Sequence, residues 1–193
     1  MTFSWPTNFR PETAAWQIQK SVAGFRSPMG GSYESIEYPG QYWKVSATFP
    51  PRMMRDAGAI TAFFMRLAGG SETVYVPYWP RLIRQGTISG APVVQVQAQR
   101  GDLQIQIWTD GTLAAGDMFS ILGQTFITLS DCVPIANILS VPLVNRVRRT
   151  LAPGSAVIWD IPMTKCVLPS NSFGASYLTN IMSGLPVDLE EAP

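Results

Sequence analysis

One stretch, residues 40–70, limits the possible folds of this chain more than any other. Over residues 42–49, apolar and polar side chains alternate, which is the period-two pattern of a strand with one buried face. The apolar positions are Trp43, Val45, Ala47 and Phe49. Pro50 and Pro51 follow, and because a proline has no N–H to donate to a neighbouring strand, the strand is predicted to end there.

Directly after the two prolines, the pattern becomes that of an amphipathic helix, predicted over residues 53–68. Apolar side chains recur at helical spacing and form a single stripe. They are Met53, Ala57, Ile60, Phe64 and Leu67. Asp56 in the first turn and Arg66 in the last carry the signs that the helix dipole favours, and Gly69-Gly70 supplies a left-handed exit. We expect this helix to flank or plug a sheet, because the rest of the chain has the pattern of strands and turns.

Strands and turns are predicted before and after this stretch. A short strand is expected around Trp16, and residues 33–38 are predicted to pair with the Trp43 strand, turning at Pro39-Gly40. Farther along, two strands are predicted to fold back on each other at Gly123. Pro142 interrupts a further short strand and so places it at the edge of a sheet.

A hairpin in the second half of the chain has two chemically different faces. Residues 94–98 and 103–107 alternate in character around a turn at Arg100-Gly101-Asp102. Valine, alanine, leucine and isoleucine occupy one face, and glutamines together with Trp108 occupy the other. The glutamine face is either solvated or a contact between subunits.

Together these patterns predict a mainly β, β-rich α+β chain. We expect a split β-barrel-like domain, carrying the one amphipathic helix, with a small inserted β-domain. A change in composition assigns residues 14–82 and 152–180 to the outer domain and residues 83–151 to the insert. Residues 1–13 and 181–193 are then an extended arm and tail, and the acidic end of the tail is expected to fray.

Composition narrows the partners of the chain. Charged residues make up 14% of the sequence and the net charge is +1, whereas about 25% is typical of soluble domains. A duplex nucleic acid is therefore not an expected partner. The six Trp, six Tyr and nine Phe residues indicate either a large core or burial against other subunits. Because no run of about 18 apolar residues occurs, no membrane span is expected, and no secretory signal is visible.

The sequence offers few groups for catalysis. The absence of histidine excludes Ser-His and Cys-His nucleophiles and histidine metal sites. Cys132 and Cys166 lack metal-site spacing and are expected to be buried thiols. Three aspartates stand next to glycines and are assigned to turns, namely Asp102, Asp110 and Asp117. Glu34 and Glu37 would point to opposite faces of a strand. We therefore expect no enzyme, no cofactor and no metal.

Seven side chains are candidates for a subunit interface because they are aromatic or densely basic without an evident catalytic use. They are Trp5, Phe9, Trp79, Trp108, Arg146, Arg148 and Arg149. Trp5 and Phe9 lie on the extended arm, which either docks on a neighbour or packs back on its own domain. The arginines either form a solvated strand edge or pair with a carboxylate of an adjacent subunit.

A series of short motifs resembles one family of viral proteins. A Trp-led strand at Trp16 precedes several family elements in order. They are Phe25, Ser27-Pro28 and Gly30; Pro39-Gly40 and Trp43; Pro50-Pro51; Leu67 and Gly69-Gly70; Ala115-Gly116-Asp117, Ile121 and Gln124; and Pro142-Leu143. This order is similar to that of distal tail proteins of tailed bacteriophages over most of residues 16–168. The connection at residues 131–140 departs from the family pattern because it lacks a glycine-rich turn.

The resemblance implies a function in assembly rather than in catalysis. Such proteins are virion structural proteins of the tail tip or baseplate, made in the host cytoplasm. They resemble split β-barrels with a helix and often carry an inserted β-domain. They assemble as homo-oligomeric rings, with a hexamer as the expected form, and contact the tail tube and the central hub.

Two other functions remain open on the sequence. The first is a host-surface module that binds carbohydrate, in which Trp108 or Trp79 would be a stacking platform. The second is a wall-degrading hydrolase, which would need a pair of carboxylates that the sequence does not identify.

Overall fold

A computed structural model describes residues 1–79 and 85–192 of the chain. These residues form fifteen strands, β1–β15, and one helix, α1. The sequence-based boundary between outer domain and insert, at residues 82 and 83, lies outside the described residues, as does Pro193. Within the described ranges, no helix is long and apolar enough to cross a membrane.

The largest element is a six-stranded sheet in the order β1-β5-β12-β15-β3-β2. Its strands are β1 (Thr2–Ser4), β2 (Thr13–Arg26), β3 (Tyr33–Phe49), β5 (Thr73–Pro77), β12 (Met163–Val167) and β15 (Leu185–Glu191). Neighbours run antiparallel except β1 and β5, which are parallel. The sheet therefore collects strands from both ends of the chain.

Helix α1, Met54–Leu67, covers one face of this sheet and agrees with the predicted helix to within one residue at each end. It buries Ala57, Ile60, Phe64 and Leu67 as the apolar stripe predicts, whereas Met53 belongs to the short strand β4 (Arg52–Met53) and is 73% exposed. The stripe and the inner face of the sheet share one core, in which Val45, Ala47 and Phe49 of β3 are buried. The alternation over residues 42–49 is thus confirmed.

A small sheet lies beside the helix, in the order β13-β14-β4. Its strands are β4 (Arg52–Met53), β13 (Tyr177–Leu178) and β14 (Ile181–Met182). Ile181 pairs with Met53, and the hydroxyl groups of Tyr177 and Thr61 of α1 are hydrogen-bonded at 2.9 Å.

The middle of the chain builds a second core from two three-stranded sheets, β10-β7-β6 and β11-β8-β9. The strands are β6 (Val93–Val94), β7 (Gln104–Trp108), β8 (Met118–Ile121), β9 (Gln124–Ile127), β10 (Ile138–Pro142) and β11 (Val157–Ile158). Buried residues of this core run from Ile88 to Val157. We call residues 85–158 the middle region. Cys132 belongs to this core and Cys166 to that of the larger sheet, and both are buried free thiols as expected.

Local turn chemistry is confirmed in the middle region. Strands β8 and β9 fold at Leu122 and Gly123, whose φ angles of 51° and 80° make the left-handed turn that suits a two-residue hairpin. Pro142 ends β10, which is an edge strand as predicted. The fold is mainly β with one helix in the described part of the chain, as predicted, but its sheets do not close into a barrel.

Three predictions were wrong. The strand predicted over residues 94–98 is in fact β6, which pairs with β7 only at Val93 and Val94, and Ala98 pairs with Leu151 instead. Pro39-Gly40 is not a turn: β3 runs through it, and the hairpin partner of β3 is β2, which turns at residues 27–32. The proline is tolerated because the ladder is irregular there, with a register shift between Gln19 and Ser21. The acidic tail does not fray either, since Leu185–Glu191 forms β15 between β12 and β3.

Candidate functional site

Several exposed apolar side chains lie on the outer part of the β2–β3 hairpin, residues 20–38, which we call the ribbon. Strands β2 and β3 pair there from Ser21 and Tyr38 to Arg26 and Tyr33. Strand β15 pairs with β3 only as far as Lys44. Among the described residues, the ribbon therefore has no third strand on either edge.

Apolar side chains of the ribbon are exposed on both of its faces. Val22 and Tyr33 share one face. Tyr33 is paired with Arg26, and Arg26 lies on the same face as Val22 because side chains alternate along β2. Phe25, Ile36 and Tyr38 share the other. The exposed fractions are 51% for Val22, 67% for Phe25, 65% for Tyr33, 66% for Ile36 and 51% for Tyr38, and Met29 in the turn is 99% exposed.

The base of the ribbon is held against the middle region by Glu37. Its carboxylate lies 3.4 Å from Lys20 Nζ and 3.5 Å from Arg146 Nη2, and it also accepts a hydrogen bond from Gln41 Nε2. Arg146 donates a second bond, of 3.0 Å, to the carbonyl of Gly101. Burial raises the pKa of Glu37, but the Lys20 and Arg146 cations outweigh it and lower the pKa below its ordinary value.

A second ion pair joins the same two parts of the molecule. Arg148 Nη1 lies 2.9 Å from Glu191 Oε2, and the Glu191 carboxylate also accepts a 3.0 Å bond from the Trp43 amide. The Glu191 side chain is only 2% exposed. Burial raises the pKa of Glu191, against the lowering effect of Arg148.

Beside this pair is a cavity of about 230 Å³, whose lining includes Arg100, Arg149 and Gly123. Neutral contacts complete the junction. The Trp43 indole donates to the Thr125 carbonyl at 2.9 Å, and the Thr125 and Thr164 hydroxyls lie 2.5 Å apart. The two cores are therefore connected by charged and neutral bonds at the base of the ribbon.

The predicted interface aromatics occupy different environments. Trp5 lies 6.0 Å from Phe49 and 5.0 Å from Trp79 between ring centroids, and its indole donates to the Phe9 carbonyl. Phe9 lies 5.8 Å from Phe63. The arm thus packs on its own domain, the second of the two alternatives, and Trp5, Phe9 and Trp79 are partly buried there. Trp108 is 49% exposed on the middle region.

The predicted interface arginines all have partners within the chain. Arg146 pairs with Glu37, Arg148 pairs with Glu191, and Arg149 donates to the carbonyl of Leu122. Asp117, which the sequence assigns to a turn, also connects two segments of the chain. Its buried carboxylate accepts bonds from the amides of Gly86 and Ala114 at 2.7 and 2.9 Å.

Another exposed apolar surface lies on the small sheet and the start of the helix. We call it the acceptor patch. Its members are Met53, Met54, Tyr177, Leu178 and Ile181, which are 44% to 73% exposed. Sequence reasoning identified neither this patch nor the ribbon, although the apolar residues at 22, 25, 33, 36 and 38 on both faces of two strands were a visible signal.

The sequence matches the profile of no known protein family, and no curated protein is significantly similar to it. Among residues 1–79 and 85–192, no group of three or more acidic or cysteine side chains is placed to hold a metal ion.

Proposed function

We propose that this chain is a structural subunit of a bacteriophage tail tip or baseplate, which assembles head to tail into a ring, with six subunits as the expected number. The observation that carries the proposal is the ribbon. An isolated two-stranded hairpin is marginally stable in water, and contiguous exposed apolar residues mark interaction sites. The ribbon has these residues on both faces, so it needs a partner that encloses it.

The position of the acceptor patch favours a second copy of the chain as that partner. The ribbon is at one end of β3, and β4, which carries Met53, directly follows the other end. From Tyr38 to Phe49 the strand spans roughly 35 Å at about 3.3 Å per residue. Two apolar surfaces so far apart cannot meet within one chain, whereas the ribbon of one copy can reach the patch of the next. Such a heterologous contact closes into a ring when the rotation permits.

The chemistry of the two surfaces supports the same pairing. The ribbon presents aromatic and branched aliphatic side chains, and the patch presents two methionines, a leucine, an isoleucine and a tyrosine. Methionine is flexible and packs well against aromatic rings. The bacteriophage assignment rests on the motif order shared with distal tail proteins. It makes the tail tube and the hub the further partners, the virion the location, and assembly rather than catalysis the activity.

Native mass spectrometry of the purified chain tests the ring. We expect a closed oligomer, which the double variant Phe25→Ser/Ile36→Ser on the ribbon and Ile181→Ser in the patch should each disrupt. Leu129→Ser, at a 62% exposed residue of the middle region, is the matched control and should leave the oligomer intact. A chain that stays monomeric at every concentration, or a ring that survives the ribbon variant, would contradict the proposal.

A mixing experiment tests the direction of the contact. The ribbon variant retains an intact patch, and the patch variant retains an intact ribbon. Mixed, they should form a heterodimer through one contact but no closed ring. The bacteriophage part has a separate test, since mass spectrometry of purified virions should detect the chain, and its absence there would refute a role in the tail.

A further inference from the structure

We propose that the exposed face of the sheet β10-β7-β6 binds a neutral saccharide, in the cleft between residues 96–98 and 102–106 and on the neighbouring Trp108. This site goes beyond assembly and involves no residue of the ribbon or of the acceptor patch. It rests on a gap in strand pairing, on the side chains that line the gap, and on an exposed tryptophan in line with it.

The cleft exists because two neighbouring strands separate. Val93 and Val94 of β6 pair with β7, and the Gln95 amide donates to the Gln106 carbonyl at 2.8 Å. After Gln95 the chain leaves β7, and Ala98 pairs with Leu151 instead. The space left between the segments is an open cavity of about 340 Å³. That volume is at the lower end of the range of about 300–1,000 Å³ for small-molecule sites.

Unpaired backbone groups of β7 also line the cleft. The opposite edge of β7 is paired with β10. The hydrogen bonds at the two ends of this pairing run from Leu143 N to the Leu103 carbonyl and from Thr109 N to the Asn137 carbonyl. Because bonding sides alternate along an antiparallel strand, the N–H and C=O of Gln104 face away from β10, into the cleft. A ligand rich in hydroxyl groups can satisfy both a donor and an acceptor at this place.

The side chains of the cleft have the composition of a saccharide site. Its lining includes Val96, Gln97, Asp102, Leu103, Gln104 and Gln106. The amides of Gln97 and Gln106 offer donors and an acceptor to sugar hydroxyls. Gln104 already donates to the Ser140 hydroxyl, and one Asp102 oxygen accepts a 2.7 Å bond from the Gln99 amide, so these two residues contribute their remaining oxygens as acceptors. Val96 and Leu103, which are 52% and 42% exposed, supply apolar contacts for C–H groups.

Trp108 extends the cleft along β7. It shares the exposed face with Gln104 and Gln106, and it lies two residues beyond Gln106, or roughly 7 Å along the strand. Its register partners on the two neighbouring strands are Ile138 and Val93, which are both partly buried. A half-exposed indole offers a flat apolar surface on which the C–H face of a sugar ring can stack.

The charges of this face favour a neutral saccharide over other ligands. Ser140 lies opposite Gln106, and Pro142 lies opposite Gln104. None of the residues that β6, β7 and β10 expose here is a lysine or an arginine, so the face offers no cation for a phosphate or a carboxylate. The single charged group of the cleft, Asp102, repels anions. A short linear saccharide that spans the cleft and the indole matches this combination.

Saturation-transfer NMR with neutral trisaccharides tests the site. The probes are maltotriose, cellotriose and tri-N-acetylchitotriose, with trigalacturonic acid and a neutral tripeptide for comparison. We expect at least one neutral trisaccharide to bind. Trp108→Ala should weaken that binding by about tenfold or more, and Gln106→Ala should weaken it to a smaller extent. Ile158→Ala, 41% exposed on the other sheet of the middle region, is the matched control and should bind as the wild type does.

Three results would overturn the proposal: binding of no neutral trisaccharide, equal or tighter binding of the acidic trisaccharide or the tripeptide, or unchanged binding by Trp108→Ala. The substituted side chains are exposed, and circular dichroism verifies that each variant is folded. The measurement uses the chain whether it is monomeric or assembled. A chain that fails to form rings therefore still reports on this site, and failure of this site leaves the ring proposal standing.

Discussion

Two carboxylates at the junction of the two cores, Glu37 and Glu191, have pKa values displaced in opposite directions. Glu37 is partly exposed and lies between Lys20 and Arg146, which lower its pKa in spite of its burial. Glu191 is almost completely buried, and its burial outweighs Arg148 and raises its pKa. The two glutamates therefore change the free energy of unfolding in opposite directions as the pH rises.

We predict opposite pH dependences when each glutamate is replaced by glutamine. Because the pKa of Glu37 is lowered from 4.5, its ionised form stabilises the folded chain above that pH, and the effect disappears as the pH falls through the folded-state pKa. Because the pKa of Glu191 is raised from 4.5, its ionisation costs stability as the pH rises from 4.5 through the folded-state pKa.

Urea unfolding of wild type, Glu37→Gln and Glu191→Gln between about pH 3 and pH 7 measures the effect, since the ordinary pKa of a glutamate, about 4.3, lies within that range. The free energy of unfolding of wild type minus that of Glu37→Gln should rise with pH. The corresponding difference for Glu191→Gln should fall. Equal slopes for the two variants would contradict the assigned environments.

At the scale of the element, the ribbon is a hairpin that adds little to the stability of the single chain. The apolar side chains of its outer part, from Val22 to Ile36, are exposed. Exposed side chains contribute little to the free energy of unfolding. The contacts that hold it, those of Lys20, Glu37 and Gln41, are all at its base. Its outer part can therefore be shortened without loss of the sheet.

We predict that replacing residues 23–36 by Asn-Gly leaves the stability of the monomer nearly unchanged but prevents the proposed assembly. The new turn joins Val22 to Glu37, which are paired in the structure, and Asn-Gly suits a two-residue hairpin. Urea unfolding should give a free energy within about 1 kcal/mol of wild type, since surface changes have small effects. Gel filtration should show a monomer, and a destabilisation of several kcal/mol would show that the ribbon packs on its own chain.

Elements also show which parts of the fold the sequence could predict. Helix α1 was predicted because its signal is local: one apolar stripe, charges that suit the dipole, and two terminal glycines. Strand β15 was missed although Leu185, Val187 and Leu189 alternate and are buried. Its acidic residues, together with Pro193, predict a frayed tail instead. The burial of Glu191 depends on Arg148 and Trp43, which are remote in sequence, and no local pattern reveals such contacts.

For the candidate sites, the sequence predicts which types of side chain are involved better than it predicts where the fold places them. Trp108 and the glutamine face were recognised from alternation, and the structure exposes both. The ribbon was not predicted, because Pro39-Gly40 looks like a turn and only the register of β2 against β3 shows that the strand passes through it. Trp5, Phe9 and Trp79 are candidates for a subunit interface on the sequence, because a sequence does not show whether an aromatic side chain finds a partner in its own core.

At the scale of the whole molecule, the two cores share a junction that includes a buried ion pair. We predict that Arg148→Ala lowers the free energy of unfolding by about 3–5 kcal/mol, because it leaves the Glu191 carboxylate buried without its cation. The exposed Arg55 of α1 provides the control, and Arg55→Ala should cost under about 0.5 kcal/mol. Urea unfolding monitored by tryptophan fluorescence measures both, and equal effects of the two substitutions would contradict a structural role of the pair.

The order of the strands in the large sheet has a consequence for synthesis. Strand β15 lies between β12 and β3, yet it follows every other strand of the sheet along the chain. During translation, β2 and β3 can pair early, and β5 and β12 can pair later, but no strand of the sheet bridges these two pairs until residues 185–191 leave the ribosome. A nascent chain interrupted before that point exposes two unpaired strand edges and the apolar face beneath the helix. Completion of the sheet therefore waits for a strand that is synthesised after all of its partners.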